Sequence, residues 1–429
     1  MEPHDRIGLA NLTRWAFEGI DLTPLRQELL TRCAMDRDSD GCFMDLSVID
    51  QLQGQREAGL AWQARALQRQ RVFRTNHRDA QVEAGRKRLL VLARPSHMGG
   101  NTPIEFLLQD SRFEILTYYP DFTPGEADRL PDHDVAFCAV PTDAEGAAGY
   151  FDHLRQLADA AGTPVLNLPA GRVDLDRDAL AGIFSYVPGL RIPATRRIGR
   201  DRLQAALACG EELALLAPLG SYPVIARPVG SHAGTGLDRL DGRAALCAYL
   251  EREPAGELFL SEYVDYASPG DGLFRKYRIV FVDGVAYPVH MAIADRWDIW
   301  YLNAGMEASA PKRAEEAAFM HGFDQGFAHR HRRSFEALSA GIGLDYFGID
   351  CAEDARGNLV LFEADNALIV HDMDSKQLFP YKGAHMRRIF EGFQQMLLDR
   401  CDPQAGPGAI SGPGGLQPAT HRTQGRVPV

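Results

Sequence analysis

The chain has 429 residues, 45% of them hydrophobic and 24% charged, with a formal net charge of −12. That composition excludes wholesale disorder, collagen-like repeats and a small disulfide scaffold, and the length calls for two or three domains. An acidic surface repels phosphate backbones, which excludes a dedicated nucleic-acid binder unless the basic residues cluster.

The basic residues are lopsided: only Lys87, Lys276, Lys312, Lys376 and Lys382 are lysines, and the rest are arginines. The seven cysteines form no C-x-x-C pair, which suits reduced thiols better than a disulfide framework or a zinc cluster. The N-terminus is acidic where a signal peptide is basic and then apolar. No window nears the roughly eighteen consecutive apolar residues of a membrane span. The expectation is a cytoplasmic protein without membrane or nucleic-acid partners.

Residues 1–84 read as a helical segment. Thr23-Pro24 supplies an N-cap and a first-turn proline before Leu25, Leu29 and Leu30, and a second helix is expected over 57–72. The pair resembles one tetratricopeptide-like unit, without a second copy at a fixed period. Asp36-Arg37-Asp38-Ser39-Asp40-Gly41 opens like an EF-hand loop, but Ser47 stands where the bidentate Glu belongs, so no Ca²⁺ site is expected.

Over 85–192, short apolar strands at 89–94, 113–119, 134–140 and 164–169 alternate with helical stretches at 104–108 and 145–161, the signature of a parallel α/β sheet. Over 193–402 the order changes to a helix (202–217), a strand (222–229), a Gly-rich loop, a helix (241–251) and a strand (257–264). Strands at 276–284 and 285–293 follow, joined by Asp283-Gly284, a strong hairpin signal. A helix over 313–340 and strands at 347–354 and 358–366 complete the domain. Residues 403–429, rich in Gly, Pro, Gln, Thr and Ser, read as a disordered tail.

Four segments carry chemistry. In Arg227-Pro228-Val229-Gly230-Ser231-His232-Ala233-Gly234-Thr235-Gly236, the glycines permit positive φ and let successive N–H groups face phosphate oxygens. No Gly-Lys-Ser/Thr follows, so it is not a P-loop. A plain turn is the alternative, against which stands the strand-end cation Arg227. In the second segment, period-two geometry puts Glu363 and Asp365 on one strand face, with Asp350 opposite on the paired strand. Three converging carboxylates repel unless a hard cation lies between them. An exposed polar face is the alternative, but Leu359, Val360, Leu361 and Phe362 argue for burial. The third, Glu262-Tyr263-Val264-Asp265, ends a strand and offers backbone groups to a base edge and carboxylates to ribose hydroxyls. In the fourth, Lys276 and Arg278 share one strand face, either at a site or as a solvated basic strand.

In this order the segments resemble the ATP-grasp superfamily over about residues 190–400, and 85–192 is similar to the α/β domain that precedes the ATP-grasp fold. The resemblance implies ATP and Mg²⁺, with Mn²⁺ as the alternative ion. It implies Arg227, Gly230, Ser231, His232, Gly234, Gly236, Glu262, Tyr263, Val264 and Asp265 at the nucleotide, and Asp350, Glu363 and Asp365 at the metal. Three departures stand out: Arg227 where Lys is usual, Asp365 (followed by Asn366) where Asn is usual, and Lys276-Tyr277-Arg278 where Asp-x-Arg is common.

The activity implied is an ADP-forming carboxylate–amine ligase, in which ATP converts a carboxylate to an acyl phosphate that an amine attacks. Arg278, Lys276, His290 and Arg296 are its candidate catalytic residues. Arg296 or Arg313 is expected to bind a carboxylate and His290 to accept the amine proton, with Trp297, Trp300 and His371 near the acceptor. Small-molecule or peptide substrates and a homodimer are expected as partners. A phosphotransferase and a nucleotide-binding regulatory protein without ligase activity are the alternatives.

Overall fold

The computed structural model describes residues 2–35, 40–75, 86–121, 130–142, 146–171, 174–184, 186–231 and 234–401. Most of the EF-hand-like run, His232 and the tail at 403–429 lie outside these residues. Among the described residues no helix is long and apolar enough to cross a membrane.

The first sheet holds six strands: β1 (His4–Arg6), β2 (Val72–Thr75), β3 (Arg88–Leu92), β4 (Glu114–Tyr118), β5 (Val135–Cys138) and β6 (Val165–Leu166), in spatial order β1-β2-β4-β3-β5-β6. β4, β3, β5 and β6 run parallel, as their continuous apolar runs and crossover helices require. The N-terminal segment is not separate from this sheet. β1 pairs with β2 and β2 with β4, so the helix expected over 57–72 stops at Leu67 and the chain re-enters the sheet. Arg6 holds the junction: its guanidinium donates to Glu105 Oε1 at 2.8 Å and to Thr117 Oγ1 at 2.7 Å.

Beyond a two-residue strand β7 (Leu190–Arg191), a second sheet is formed by β8 (Thr195–Gly199), β9 (Val224–Pro228), β10 (Asp238–Leu240) and β11 (Glu257–Glu262), all antiparallel in the order β10-β9-β11-β8. Its core, running from Ile198 through Val224 and Tyr249 to Leu260, is drawn from this unit alone. The helix expected over 202–217 is broken at Gly210 into Arg200–Cys209 and Glu212–Leu216.

The third sheet has the order β13-β12-β14-β15-β7, with β12 (Phe274–Val282), β13 (Val285–Ala294), β14 (Tyr346–Glu353) and β15 (Leu359–Asp365) antiparallel. Asp283 (φ 48°) and Gly284 (φ 78°) make the predicted two-residue turn, both in the left-handed region that a twisted hairpin demands. The helix expected over 313–340 is three, Ala310–His321, Phe327–Arg330 and Arg332–Ile342, parted by residues 322–326 and by His331.

The first and third sheets share a core. Leu89, Val91 and Phe137 of one pack with Val280, Tyr346 and, from the last helix (Lys382–Cys401), Phe393. Asn366, almost fully buried, ties the two together. Its carbonyl accepts from Thr102 Oγ1 at 2.7 Å, its Oδ1 accepts from the Thr142 N–H at 3.1 Å, and its Nδ2 donates to Val140 O at 2.9 Å. Gly348 keeps the loop after β15 close, because a Cβ there would stand 2.4 Å from Leu368 Cδ1.

Candidate functional site

The register of the third sheet aligns a polar row across four strands. His290 (β13) faces Arg278 (β12), Arg278 faces Asp350 (β14), and Asp350 faces Glu363 (β15). Gly348 faces Asp365, and Lys276 is two residues before Arg278 and so on its face. Bulges beside Arg278 and Asp350 interrupt the pairing there, a common device for re-aiming side chains.

Asp350, Glu363 and Asp365 fall on two paired strands, with Asp350 opposite Glu363, and cations already sit among them. Arg278 donates to both oxygens of Asp350, from Nε at 2.8 Å and Nη2 at 3.1 Å, and Lys276 Nζ lies 2.9 Å from Asp350 Oδ2. Burial alone would push the Asp350 carboxyl up; Arg278 and then Lys276 outweigh it and hold the group well below the usual carboxylate range. Glu363 Oε1 meets Arg177 Nη2 at 2.5 Å, and its carboxyl is also held low, burial being overcome by Arg177, Arg227 and Lys276. Asp365 Oδ1 accepts the Ala367 N–H at 2.7 Å.

These facts test the expected metal ligands. Glu363 and Asp365 carry hard oxygen donors of the kind Mg²⁺ prefers. Asp350 does not fit, since two cations occupy both its oxygens. Among the described residues no three His, Cys, Asp or Glu side chains gather as a metal-holding group. Asn366 is not a displaced ligand either, because it is spent on the joint between sheets.

A cavity of ≈ 140 Å³ opens between the second and third sheets. Ile192, Ile225, Leu237, Val264, Leu361 and Phe362 give it an apolar bed, and Arg177, Arg227, Lys276 and Glu363 a polar end. Arg227 leaves the end of β9 and donates through Nε to Ser231 Oγ at 3.2 Å and through Nη2 to the Ser231 carbonyl. Its guanidinium is pushed down to about 10, first by burial and then by the like charge of Arg177. Two guanidiniums on one cavity wall, one of them penalised by burial and by the other's charge, suit an anion.

Of the predicted nucleotide residues, Arg227, Glu262, Tyr263 and Val264 line this cavity. The Glu262 carboxylate is already paired with Arg191 Nη2 at 2.6 Å. Asp265 points away, exposed, its Oδ1 closing a turn on the Ala267 N–H at 3.0 Å. Gly230 and Gly234 are exposed and outside the cavity lining, and Ser231 reaches the site through Arg227.

The candidate catalytic residues divide. Lys276 faces the cavity and is not a solvated basic strand residue. Arg278 acts on Asp350 behind it. His290 is away from the cavity wall, its ring 4.5 Å from that of Tyr301; burial, then Arg278 and Lys382, hold the imidazole well below its usual range. Arg296 is a correction: it is exposed and paired with Asp298, Nε at 2.6 Å from Oδ1, because a carboxylate two residues on offered a local partner. Arg313 is likewise turned inward to its own segment, donating to the Met306 carbonyl at 2.9 Å. Trp297 lines the cavity, whereas Trp300 is exposed.

Two residues escaped the sequence reading. Arg177 starts the helix Arg177–Ile183 and belongs to no motif. Lys382 is buried, with Nζ 2.8 Å from Asp374 Oδ2, bonded to the Tyr301 hydroxyl, and 4.2 Å and 4.5 Å from the Tyr301 and Phe379 ring centroids. Its membership of the five lysines was the signal available.

No family model matches the sequence, and no curated protein matches it. In structure the chain is similar to a RimK-domain ATP-grasp protein from Sphaerobacter thermophilus, at 18% identity over 72% of this chain and 99% of that one, with a TM-score of 0.41. It is also similar to the D-alanine–D-alanine ligase of Bacillus anthracis complexed with ATP (13%, 74% and 98%, TM-score 0.41). A third is the VanG D-Ala:D-Ser ligase of Enterococcus faecalis (13%, 73% and 99%, TM-score 0.42). This chain's own topology is a mainly parallel α/β sheet followed by two mainly antiparallel sheets with a cleft between them.

Proposed function

We propose that the cleft binds ATP and that the chain is an ADP-forming carboxylate–amine ligase. The observation that carries the reading is Arg177 and Arg227 together on the wall of a cavity that also has an apolar bed: a flat base suits the bed, and phosphates suit the two guanidiniums. Residues 263–264, at the end of β11, border the apolar end.

In the first step a carboxylate oxygen forms a bond to the γ-phosphorus while the bond to the β-phosphate oxygen breaks and ADP leaves. In the second, an amine nitrogen attacks the acyl carbon, inorganic phosphate departs with its electron pair, and the proton the amine gives up passes to that phosphate. Mg²⁺, held by Glu363 and Asp365, would supply charge neutralisation at the phosphates. Arg177, Arg227 and Lys276 hold and orient the polyphosphate, and the two sheets keep water from the acyl phosphate. The fold similarity to ligases that act on small substrates is consistent with this reading.

The test is ADP release by the full chain in the presence of pooled amino acids and amines, with products read by mass spectrometry. Amine-dependent ADP with a new amide mass is expected. A phosphorylated product without amide points to a phosphotransferase, and nucleotide binding without turnover points to a regulatory protein; either overturns the ligase assignment. Glu363→Gln is expected to abolish turnover.

A further inference from the structure

A three-carboxylate metal site is ordinarily a region of negative charge awaiting cations. Here the balance is reversed. Lys276 and Arg278 pair with Asp350, Arg177 pairs with Glu363, and Arg227 lines the same cavity. The cations thus outnumber the carboxylates before any ion enters. Lys276 is the decisive member, because its ammonium lies 2.9 Å from Asp350 Oδ2 and lines the cavity.

We propose that the Lys276 ammonium is a built-in replacement for one divalent ion, so that the cleft takes up ATP with a single metal ion. Asp350 is then a counter-ion for Lys276 and Arg278, and not a metal ligand. Geometry favours this: a second ion at Asp350 would displace a lysine and a two-pronged arginine from hydrogen bonds already of good length. An ammonium also differs in kind from Mg²⁺, since it cannot be chelated and stays with the protein when the nucleotide leaves.

The inference rests on the ATP-binding reading, and the experiment separates the two. Binding of the non-hydrolysable analogue AMP-PNP to the full chain is first measured in EDTA and in Mn²⁺ by equilibrium dialysis. Bound Mn²⁺ per bound nucleotide is then counted by electron paramagnetic resonance of the free ion. The expected result is about one Mn²⁺ per nucleotide in the unaltered protein, rising to about two in Lys276→Gln and staying at about one in Lys276→Arg. Two ions in the unaltered protein, or an unchanged count in a folded Lys276→Gln, overturns the proposal while leaving ATP binding intact. If Lys276→Gln fails to fold, the counts in the unaltered protein and Lys276→Arg still decide. Absence of nucleotide binding under both conditions removes the underlying reading, and this inference with it.

Discussion

Arg278 grips both oxygens of Asp350 across adjacent strands, a two-pronged pair at 2.8 and 3.1 Å that Lys276 completes from the same face. Removing the anion leaves two cations in a partly buried setting with no counter-charge. Asp350→Asn is therefore expected to lower stability by about 3 kcal/mol, and adding Lys276→Met to restore part of it. Urea unfolding of the single and double variants measures both. A loss below about 0.5 kcal/mol for Asp350→Asn would show that the pair is energetically idle.

The same pair sets an acid limit. The folded Asp350 carboxyl lies below its ordinary value of roughly 3.9, so the unfolded chain binds its proton first. The stability it contributes is present above that unfolded value and is lost as pH falls through the folded one. Between pH 5 and 8 the pair is expected to add no slope, which stability measurements on the Asp350→Asn variant beside the unaltered chain check.

His290 works in a higher window. Its folded value is depressed by burial, Arg278 and Lys382, so the unfolded chain gains its proton first as pH drops below about 6.5. Stability is expected to fall with pH from there downward, and more gently in His290→Gln. Equal slopes in the two proteins would contradict the neutral, buried imidazole.

Burial and the charge of Arg177 press on Arg227, and an anion relieves it. Arg227→Met is expected to weaken AMP-PNP binding roughly tenfold to a hundredfold, about 1.4 to 2.8 kcal/mol, with little effect on folding. Titration calorimetry reads it. An unchanged affinity would place the phosphates elsewhere.

Asn366 predicts the opposite pattern. Asn366→Ala strips partners from the Thr142 N–H and the Val140 carbonyl, and is expected to cost about 2 kcal/mol of stability. Nucleotide affinity and the count of bound Mn²⁺ are expected to stay as they were. A change in the metal count would return Asn366 to the ligand set.

What could be read beforehand followed local rules. Asp350, Glu363 and Asp365 were visible because strand side chains alternate and a hairpin fixes which residues face each other. Arg227 was visible because a strand ran into glycines. Lys276 stood out as a departure from a family pattern, but its salt bridge to Asp350 depends on a pairing of β12 with β14 across some seventy residues. The strands β1 and β2 were hidden for the same reason, being too short to show periodicity and paired only by distant chain. Arg296 misled because scarcity of context made a conspicuous charge look unspoken for, when Asp298 was two residues away. Arg177 had no signal at all; its place is set by a seven-residue helix packed beside β8 and β15.

The separate core of the second sheet has a mechanical meaning. The cavity is walled on one side by Thr195, Ile225, Arg227 and Leu237, whose unit shares no core with the rest, and on the other by Lys276, Leu361 and Glu363, whose sheet is welded to the N-terminal one. That unit is tied to the rest through residues 192–195 and 262–266 and through the packing of β8 beside the helix Arg177–Ile183. A molecule gripped from both sides is then a strut between a jaw and a fixed frame, and the arginine at the jaw's tip is where its tension is felt.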